Sequence, residues 1–503
     1  MDAEKKLKDI LQNVDIKSIE GNININVDGL ATDSKVVRGN FIFVAVKGPN
    51  FDGHDFIKEA IDKGASVVVA QQDWCAGAQV VKIIVTNSKR ASAELVQNFY
   101  DRPADKARII GITGTNGKTT VTYLCESIFK EAGFGVGVIG TINYRYGLRQ
   151  IPATNTTPGA IKLAEIMHYM VTNGAGYIVM EASSHSLEQE RTWGIDFKTA
   201  VFTNITPEHL DYHKNMKEYK RAKALLFKNL GKHATAVINM DDELGKELVD
   251  EIVGARHAVP LLLTYGFGSA ADIHPEKFTL SSGGTDMIVN TPKGKMEIHS
   301  KLIGKFNTYN ILASIGAGIA EGIELKKIAA GIEAVKVVPG RLERVAANSK
   351  FDVYVDYAHT DDALKNVLTA IKELTHGRII TLFGCGGDRD TAKRPRMGKV
   401  VSELSDYAVI TTDNPRSEDP QAIANQVLAG IEKNKSRKVF VVLDRQEAIK
   451  KAIGLAKEGD IVLLAGKGHE TYQIFKNIFE PFDDREVARK VLAGIGHTQA
   501  CLR

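Results

Sequence analysis

The sequence predicts an α/β protein of three domains, the last two built on parallel sheets. Three observations carry that reading. A chain of 503 residues exceeds what one hydrophobic core organises, and at roughly 150 residues per domain it divides into about three. Short apolar runs alternate with helix-like segments in two long series, as parallel strands joined by crossover helices require. Proline and glycine punctuation breaks the series in DRPADKA (101–107) and in VKVVPGRLE, which ends at residue 343. The expected domains are 1–102, 103–336 and 337–503.

The first hundred residues hold two strand candidates, NFIFVAVKG and ASVVVA, around the glycine-bearing loop GPNFDGHDF, and suggest a small separate α/β unit. The central series runs RIIGIT, YIVMEAS, TAVFTNI and TAVINM. The last series is FDVYVDYAH, RIITLFGCGG, YAVITTDNP, KVFVVLD and DIVLLAGKG, with helical patterns such as DDALKNVLTAIKEL between its members. It reads as a doubly wound, Rossmann-like domain. No short-period repeat or low-complexity tract interrupts the chain.

Composition excludes several classes. Hydrophobic residues at 44% and charged residues at 25% match ordinary globular proteins and argue against a disordered or fibrous chain. The formal charge of +4 spreads over 65 basic and 61 acidic residues, so no basic stripe points to nucleic acid. No stretch nears the roughly 18 apolar residues that cross a bilayer, and MDAEKKLKDILQNVDI has no uninterrupted apolar segment for secretion. Cys75, Cys125, Cys385 and Cys501 form no CxxC pair, which suits neither a zinc site nor a disulfide framework. Cys385, inside GCGGDRD, reads as a small buried thiol rather than a nucleophile. A cytoplasmic protein without nucleic-acid or membrane partners is expected.

The sharpest motif is RIIGITGTNGKTTVTYLCESIF (108–129), an apolar strand, a glycine turn and a helix. In that context the backbone N–H groups of Gly114, Thr115, Asn116 and Gly117 and the helix N-terminus converge on phosphate oxygens. Lys118 reaches the β and γ phosphates, Thr119 offers a hydroxyl to magnesium, and Thr120 continues the loop into the helix. The match to GxxxxGK[ST] is imperfect, because Ile112 stands five residues before Gly117 and the preceding glycine is Gly114. The loop is a tighter variant and makes the middle unit a P-loop-type ATPase domain. By itself it does not separate kinase, ligase, ATPase and switch.

Further strings follow in order: ATNTTPG (153–159), EASSHSLEQER (181–191), HLDYH (209–213), AKALLF (222–227), GKFNTYN (304–310), GRLE (340–343), DYAH (356–359), GGDRD (386–390), DNPR (413–416) and AGKGHE (465–470). With GTNGKT before them, the chain resembles the Mur ligases over its whole length. The resemblance implies an ATP-dependent amide-forming ligase of peptidoglycan precursor synthesis, acting as a monomer. The substrates it implies are UDP-N-acetylmuramoyl-L-alanyl-D-glutamate and meso-diaminopimelate, joined through an acyl phosphate with release of ADP and phosphate. Two positions depart from the family pattern: Glu208 in PEHLDYH replaces an aspartate, and Asp361 in AHTDDAL replaces a proline. Neither removes a catalytic group.

Bringing a carboxylate to a γ-phosphate is repulsive unless magnesium and cationic side chains neutralise the developing charge. Magnesium takes oxygen ligands and needs few from protein. The resemblance implies two magnesium ions, the first held by Thr119 and Glu181 and the second by His209 and Lys223. Lys223 would be carbamylated to N6-carboxylysine, which supplies carboxylate-like oxygens. Lys118, Glu181, His209 and Lys223 form the implied catalytic set. Asn310, Arg341, Asp356 and His359 match positions near the nucleotide and the acceptor, and the first three join the phosphate loop as implied ATP contacts.

For the UDP-muramoyl dipeptide the resemblance implies Thr32, Asp33, Ser34, Val46, Lys47 and Gly48 at the uridine diphosphate end. It implies Asn155, Thr156, Thr157, Ser183, Gln189 and Arg191 along the peptide. For diaminopimelate it implies Arg389, Asp413, Asn414, Pro415, Arg416, Gly466 and Glu470. Arg416 suits a bidentate grip on the distal carboxylate that lysine lacks, Arg389 offers a second contact, and Asn414 and Glu470 suit the ammonium. The rival readings are a lysine-adding member of the family, a folylpolyglutamate synthetase and a nucleotide-gated regulator.

Overall fold

The structure is a computed structural model and describes residues 4–48, 51–75, 80–254, 261–345, 350–432 and 438–500. Three open sheets follow one another along the chain. The first has five strands in the order Ile16–Glu20, Val81–Val85, Ala65–Ala70, Phe41–Val44 and Gly29–Ala31, parallel except for the Ile16–Glu20 edge. Both expected strands of this region are present, although residues 49 and 50 of the loop between them lie outside the described residues.

The central sheet has eight strands, with Arg108–Thr113 flanked by Tyr177–Glu181 and Phe197–Phe202. The four expected runs pair in parallel, extended by Val136–Ile139 on one side and Leu261–Tyr265 on the other. Arg149–Pro152 and Asn143–Tyr146 add an antiparallel edge that the alternation pattern did not announce. Separate apolar clusters cover its two faces, one around Ile109, Ile178 and Phe202 and the other around Ile110, Val179 and Val201. Alternate residues of each strand feed opposite layers, as the period of two requires.

The last sheet has six strands, and its five expected runs lie in the order Asp352–Asp356, Ile461–Ala465, Ile379–Phe383, Tyr407–Ile410 and Val439–Val441, all parallel. Its helix Asp361–Leu374 is capped by Thr360, whose side chain accepts from the Ala363 N–H, and carries Asp361 and Asp362 in its first turn. That geometry accounts for the departure at residue 361. The first helical position tolerates proline, and a carboxylate there faces the positive end of the helix. Asp361 also pairs with Arg396 at 3.0 Å. A three-stranded antiparallel sheet, His274–Ser281, Gly284–Thr291 and Gly294–Ser300, had no counterpart in the sequence reading. Among the described residues no helix is long and apolar enough to cross a membrane. Cys125 and Cys385 are buried free thiols, Cys75 is exposed, and Cys501 lies outside the described residues.

A buried ion pair locks the last sheet to the final helix. The side chains of Arg445 and Asp484 have no exposure and meet at 2.6 Å, and Arg445 also donates to the carbonyls of Thr412 (3.3 Å) and Ala465 (3.1 Å). Removing one partner leaves a buried charge uncompensated, which costs about 3–5 kcal/mol. Asp484→Asn is therefore expected to lower the midpoint of chemical unfolding followed by circular dichroism, and an unchanged midpoint would remove this pair from the stability argument.

Candidate active site

The phosphate loop leaves the sheet at the carboxyl end of Arg108–Thr113, where ligands of open α/β sheets bind. Two of its glycines are required by space as well as by backbone angle. Gly114 (φ +146°) would place a Cβ 1.9 Å from Thr203 Oγ1, and Gly117 (φ +89°) one 2.3 Å from Asn310 Oδ1. Asn204 fastens the loop: its carbonyl accepts from the Thr115 N–H (2.8 Å) and its Oδ1 from the Asn116 N–H (2.9 Å). Lys118 Nζ folds back onto the carbonyls of Gly114 and Thr115, 2.8 Å from each.

Glu181, 1% exposed, ends the neighbouring strand and collects three donors. Thr119 Oγ1 lies 3.0 Å from Oε1, the Thr141 N–H 2.9 Å from the same oxygen, and Thr141 Oγ1 2.8 Å from Oε2. Arg341, from the last domain, donates to Thr119 Oγ1 at 3.1 Å. The expected Thr119–Glu181 pair is therefore present as clustered oxygens beside the phosphate loop.

Lys223 is 2% exposed and donates to the Gly114 carbonyl at 2.7 Å, so that carbonyl meets both Lys223 and Lys118. Burial, reinforced by the Lys118 charge and opposed by Glu208, holds the Lys223 amine well below the usual lysine range. A helix position that reads as solvated from sequence is in fact a desolvated amine facing the loop. His209 caps a short helix with φ +57°. Although 44% of its side chain is exposed, desolvation of the packed remainder lowers its imidazole, with Glu208 opposing and Lys223 and Lys118 adding.

Glu208 lies between two imidazoles, 3.6 Å from His209 Nε2 and 3.4 Å from His359 Nε2. Burial pushes its carboxyl up, but the His359 hydrogen bond and the charges of His209, His359 and Lys118 together hold it well below the carboxylate range. His359 Nδ1 lies 2.7 Å from the Tyr357 carbonyl. A second contact across the same boundary joins Asn116 Nδ2 to Asp362 Oδ2 at 2.9 Å.

Two clefts open at this junction. The larger, about 450 Å³, is lined by Asn116, Gly117, Thr119, Thr120, Asn310, Arg341, Asp356 and His359 among others. Asp356 is buried there with its oxygens accepting the N–H groups of Leu342 (2.6 Å) and Ala358 (2.7 Å), so it shapes the wall. The smaller, about 250 Å³, is lined by Glu208, His209, His359, Arg389, Asp413, Asn414, Arg416, Gly466 and Glu470 among others. Arg416 adopts φ +52°, held by its N–H on the Ile474 carbonyl (3.0 Å) and its own carbonyl under the Lys476 N–H (2.7 Å). Burial and the nearby Arg389 charge lower its guanidinium from the usual value. Pro415 stays outside the lining, and its carbonyl accepts from the Glu418 N–H at 3.0 Å to close the turn.

The peptide set is also assembled. Arg191 donates to the Thr157 carbonyl (2.8 Å) and to Gln189 (3.0 Å), Thr157 Oγ1 bonds Ser183 Oγ (3.3 Å), and Thr156 reaches Thr141 (3.2 Å) beside Glu181. Asn155 is exposed and contributes its carbonyl to Tyr144 OH. The first-domain set lines neither cleft. Ser34 is buried with its hydroxyl on Glu59 (3.0 Å), Thr32, Asp33, Lys47 and Gly48 are exposed, and Val46 is half-buried. They sit past the adjacent parallel strands Gly29–Ala31 and Phe41–Val44. Sequence reasoning missed Thr141, Asn204, Asp362 and Lys467. Polar residues at strand ends were the available signal for Asn204 and Lys467, while Thr141 and Asp362 reach the site through partners distant in the chain.

Three family models match: Mur ligase family, catalytic domain, over residues 26–100; Mur ligase middle domain over 112–318; and Mur ligase, glutamate ligase domain, over 340–468. A Clostridium tetani protein named UDP-N-acetylmuramoyl-L-alanyl-D-glutamate–2,6-diaminopimelate ligase is 42% identical over 97% of this chain and 99% of its own length. A Solibacter usitatus protein of the same name is 45% identical over 94% and 95%. A solved structure described by that enzyme name superposes with a TM-score of 0.70 at 30% identity, covering 98% of this chain and 100% of the other. Fold, site and relatives define an ATP-dependent ligase that forms amide bonds. The chain belongs to the Mur ligase family.

Proposed function

We propose that the chain joins meso-diaminopimelate to the D-glutamate of UDP-N-acetylmuramoyl-L-alanyl-D-glutamate, through an acyl phosphate, with ATP converted to ADP and phosphate. The observation that carries this reading is the smaller cleft, where Arg389 and Arg416 face a cluster of Asn414, Asp413 and Glu470. A diamino acid with a distal carboxylate needs both signs of charge in one pocket. Lysine offers no partner for Arg416, and a desolvated arginine left unpaired rejects it. The names of the relatives favour the same acceptor.

The roles follow the geometry. Lys118 and the Gly114–Gly117 backbone bind the phosphates, with Arg341 and Asn310 packed against the same loop in the nucleotide cleft. Thr119 and Glu181 would hold one magnesium ion, and His209 with carbamylated Lys223 a second. Their clustered oxygens and the desolvated amine fit such ions. When bound, magnesium neutralises charge on the transferring phosphoryl group. Thr157, Ser183, Gln189 and Arg191 would align the glutamate carboxyl beside Glu181, and Ser34, Thr32, Val46 and Lys47 would hold the UDP end. The three domains would divide at 102 and 336, each with its own ligand: UDP, ATP and the amino acid. We place the protein in the cytoplasm, because its substrates are nucleotide-linked, and read it as a monomer from its likeness to the Mur ligases.

The test is ADP release with magnesium, the UDP dipeptide and a panel of amino acids. Release is expected only with both co-substrates and with diaminopimelate far ahead of lysine. Equal turnover with lysine would overturn the acceptor assignment, and hydrolysis indifferent to either co-substrate would overturn the ligase reading.

A further inference from the structure

Lys467 is fully buried and, outside the lining of the smaller cleft, bonds three residues that line it. Its Nζ lies 3.0 Å from Asn414 Oδ1, 3.2 Å from Glu470 Oε2 and 3.4 Å from Asp413 Oδ1. The turn that carries it has positive φ at both flanking glycines, +110° at Gly466 and +54° at Gly468. All three partners belong to the acceptor pocket. The carbonyl oxygen of Asn414 is saturated by this arrangement, since Oδ1 also accepts the Ile474 N–H (3.1 Å), while Nδ2 donates to Glu470 Oε2 (2.9 Å). Glu470 Oε1 accepts no hydrogen bond among the described residues.

We propose that Lys467 is a positioning residue that keeps Glu470 ionised and aimed, so that Glu470, rather than Asn414 or Asp413, receives the ammonium of the incoming amino acid. The inference rests on the reading that this cleft binds a diamino acid. The buried Asp413 and half-buried Glu470 carboxylates around one ammonium leave a net negative charge, which one substrate ammonium neutralises. Without the lysine the two carboxylates face each other as like charges, and one of them takes a proton. That proton falls to Glu470. Burial and the Asp413 charge push its carboxyl up, with Lys467 and Asn414 drawing it down. Asp413, although burial acts against it, is held below the carboxylate range by Lys467 and then Arg445. The other titratable or charged groups facing Glu470 are Arg416, Tyr357 and Tyr472, together with Arg445.

The experiment compares the parent, Lys467→Met, Lys467→Arg, Glu470→Gln and the double variant Lys467→Met with Glu470→Gln. Steady-state ADP release is followed from pH 6 to 9 with ATP and the UDP dipeptide saturating. The amino acid is whichever one the parent turns over, so a wrong acceptor assignment shows in the parent alone. Lys467→Met is expected to raise the amino-acid KM at pH 7 at least tenfold, with the KM for ATP within twofold of the parent. Because an ionised Glu470 is needed, its acid limb in kcat/KM should move to higher pH and the deficit should shrink as pH rises. Lys467→Arg, which keeps the charge, should retain the parental pH profile. In the Glu470→Gln background the lysine change should add less than threefold, as two residues acting through one contact require. An amino-acid KM unchanged in Lys467→Met, an unshifted acid limb, or an undiminished effect in the double variant would each overturn the proposal. Should Lys467→Met not fold, an amino-acid KM unchanged in Glu470→Gln, or a displaced acid limb in Lys467→Arg, would overturn it equally.

Discussion

Arg416→Ala is expected to lower kcat/KM for meso-diaminopimelate by roughly 10³-fold, about 4 kcal/mol, with the KM for ATP nearly unchanged. Arg416 lines the smaller cleft together with Arg389, and its guanidinium is already partly desolvated there. Its Nη1 donates to the Gly387 carbonyl at 2.8 Å, with the Asn414 carbonyl as a second acceptor at 3.5 Å. That bond fixes its direction and leaves the rest of the fork for a carboxylate. Truncation removes the fork and leaves the substrate carboxylate with Arg389 alone, so most of the loss should appear with diaminopimelate and little with an acceptor lacking that group. Measuring both acceptors in the same variant separates the two. Equal losses for both would mean that Arg416 only holds the loop.

Lys223→Ala is expected to be nearly inactive, with kcat reduced on the order of 10³-fold or more, and partly rescued by added short carboxylates. A carbamate forms only on a neutral amine. The structure supplies one: Lys223 is buried and shares the Gly114 carbonyl with a second lysine, and its amine is held far below the ordinary range. Substituting alanine removes the site of modification without adding a charge, and a small carboxylate can then supply the missing oxygens. Full activity in the variant would remove the carbamate from the mechanism, and a dead variant that no carboxylate restores would leave Lys223 a packing residue.

The parts of this protein that were legible in the sequence are those whose reason is local. The strand runs from RIIGIT to DIVLLAGKG lie where their apolar alternation with helical segments placed them, all in parallel sheets. The phosphate loop declared itself through Gly114, Gly117 and Lys118 between a strand and a helix. Departures from parallel order were not legible. The edge strands Asn143–Tyr146 and Arg149–Pro152 and the antiparallel sheet from His274 to Ser300 carry mixed polar sequence, whose pairing depends on neighbours rather than on its own pattern.

For the site the division falls differently. Strings such as EASSHSLEQER and DNPR named residues, but nothing in them told that Thr157, Ser183 and Arg191 share one hydrogen-bonded network, or that Asp362 fastens Asn116 across a domain boundary. Lys467 lay inside a recognised string without a role, because its three partners lie 3 to 54 residues away along the chain.

The sequence by itself determined the parallel strands, the phosphate loop and the chemical inventory of each strand end, since periodicity and turn chemistry are written in neighbouring residues. Only the tertiary structure decided which of those groups are desolvated and which charges share a cleft. A lysine's protonation, an arginine's free donors and a carboxylate's partner all depend on what the folded chain brings within a few ångströms, and that distance is not written in any short stretch of it.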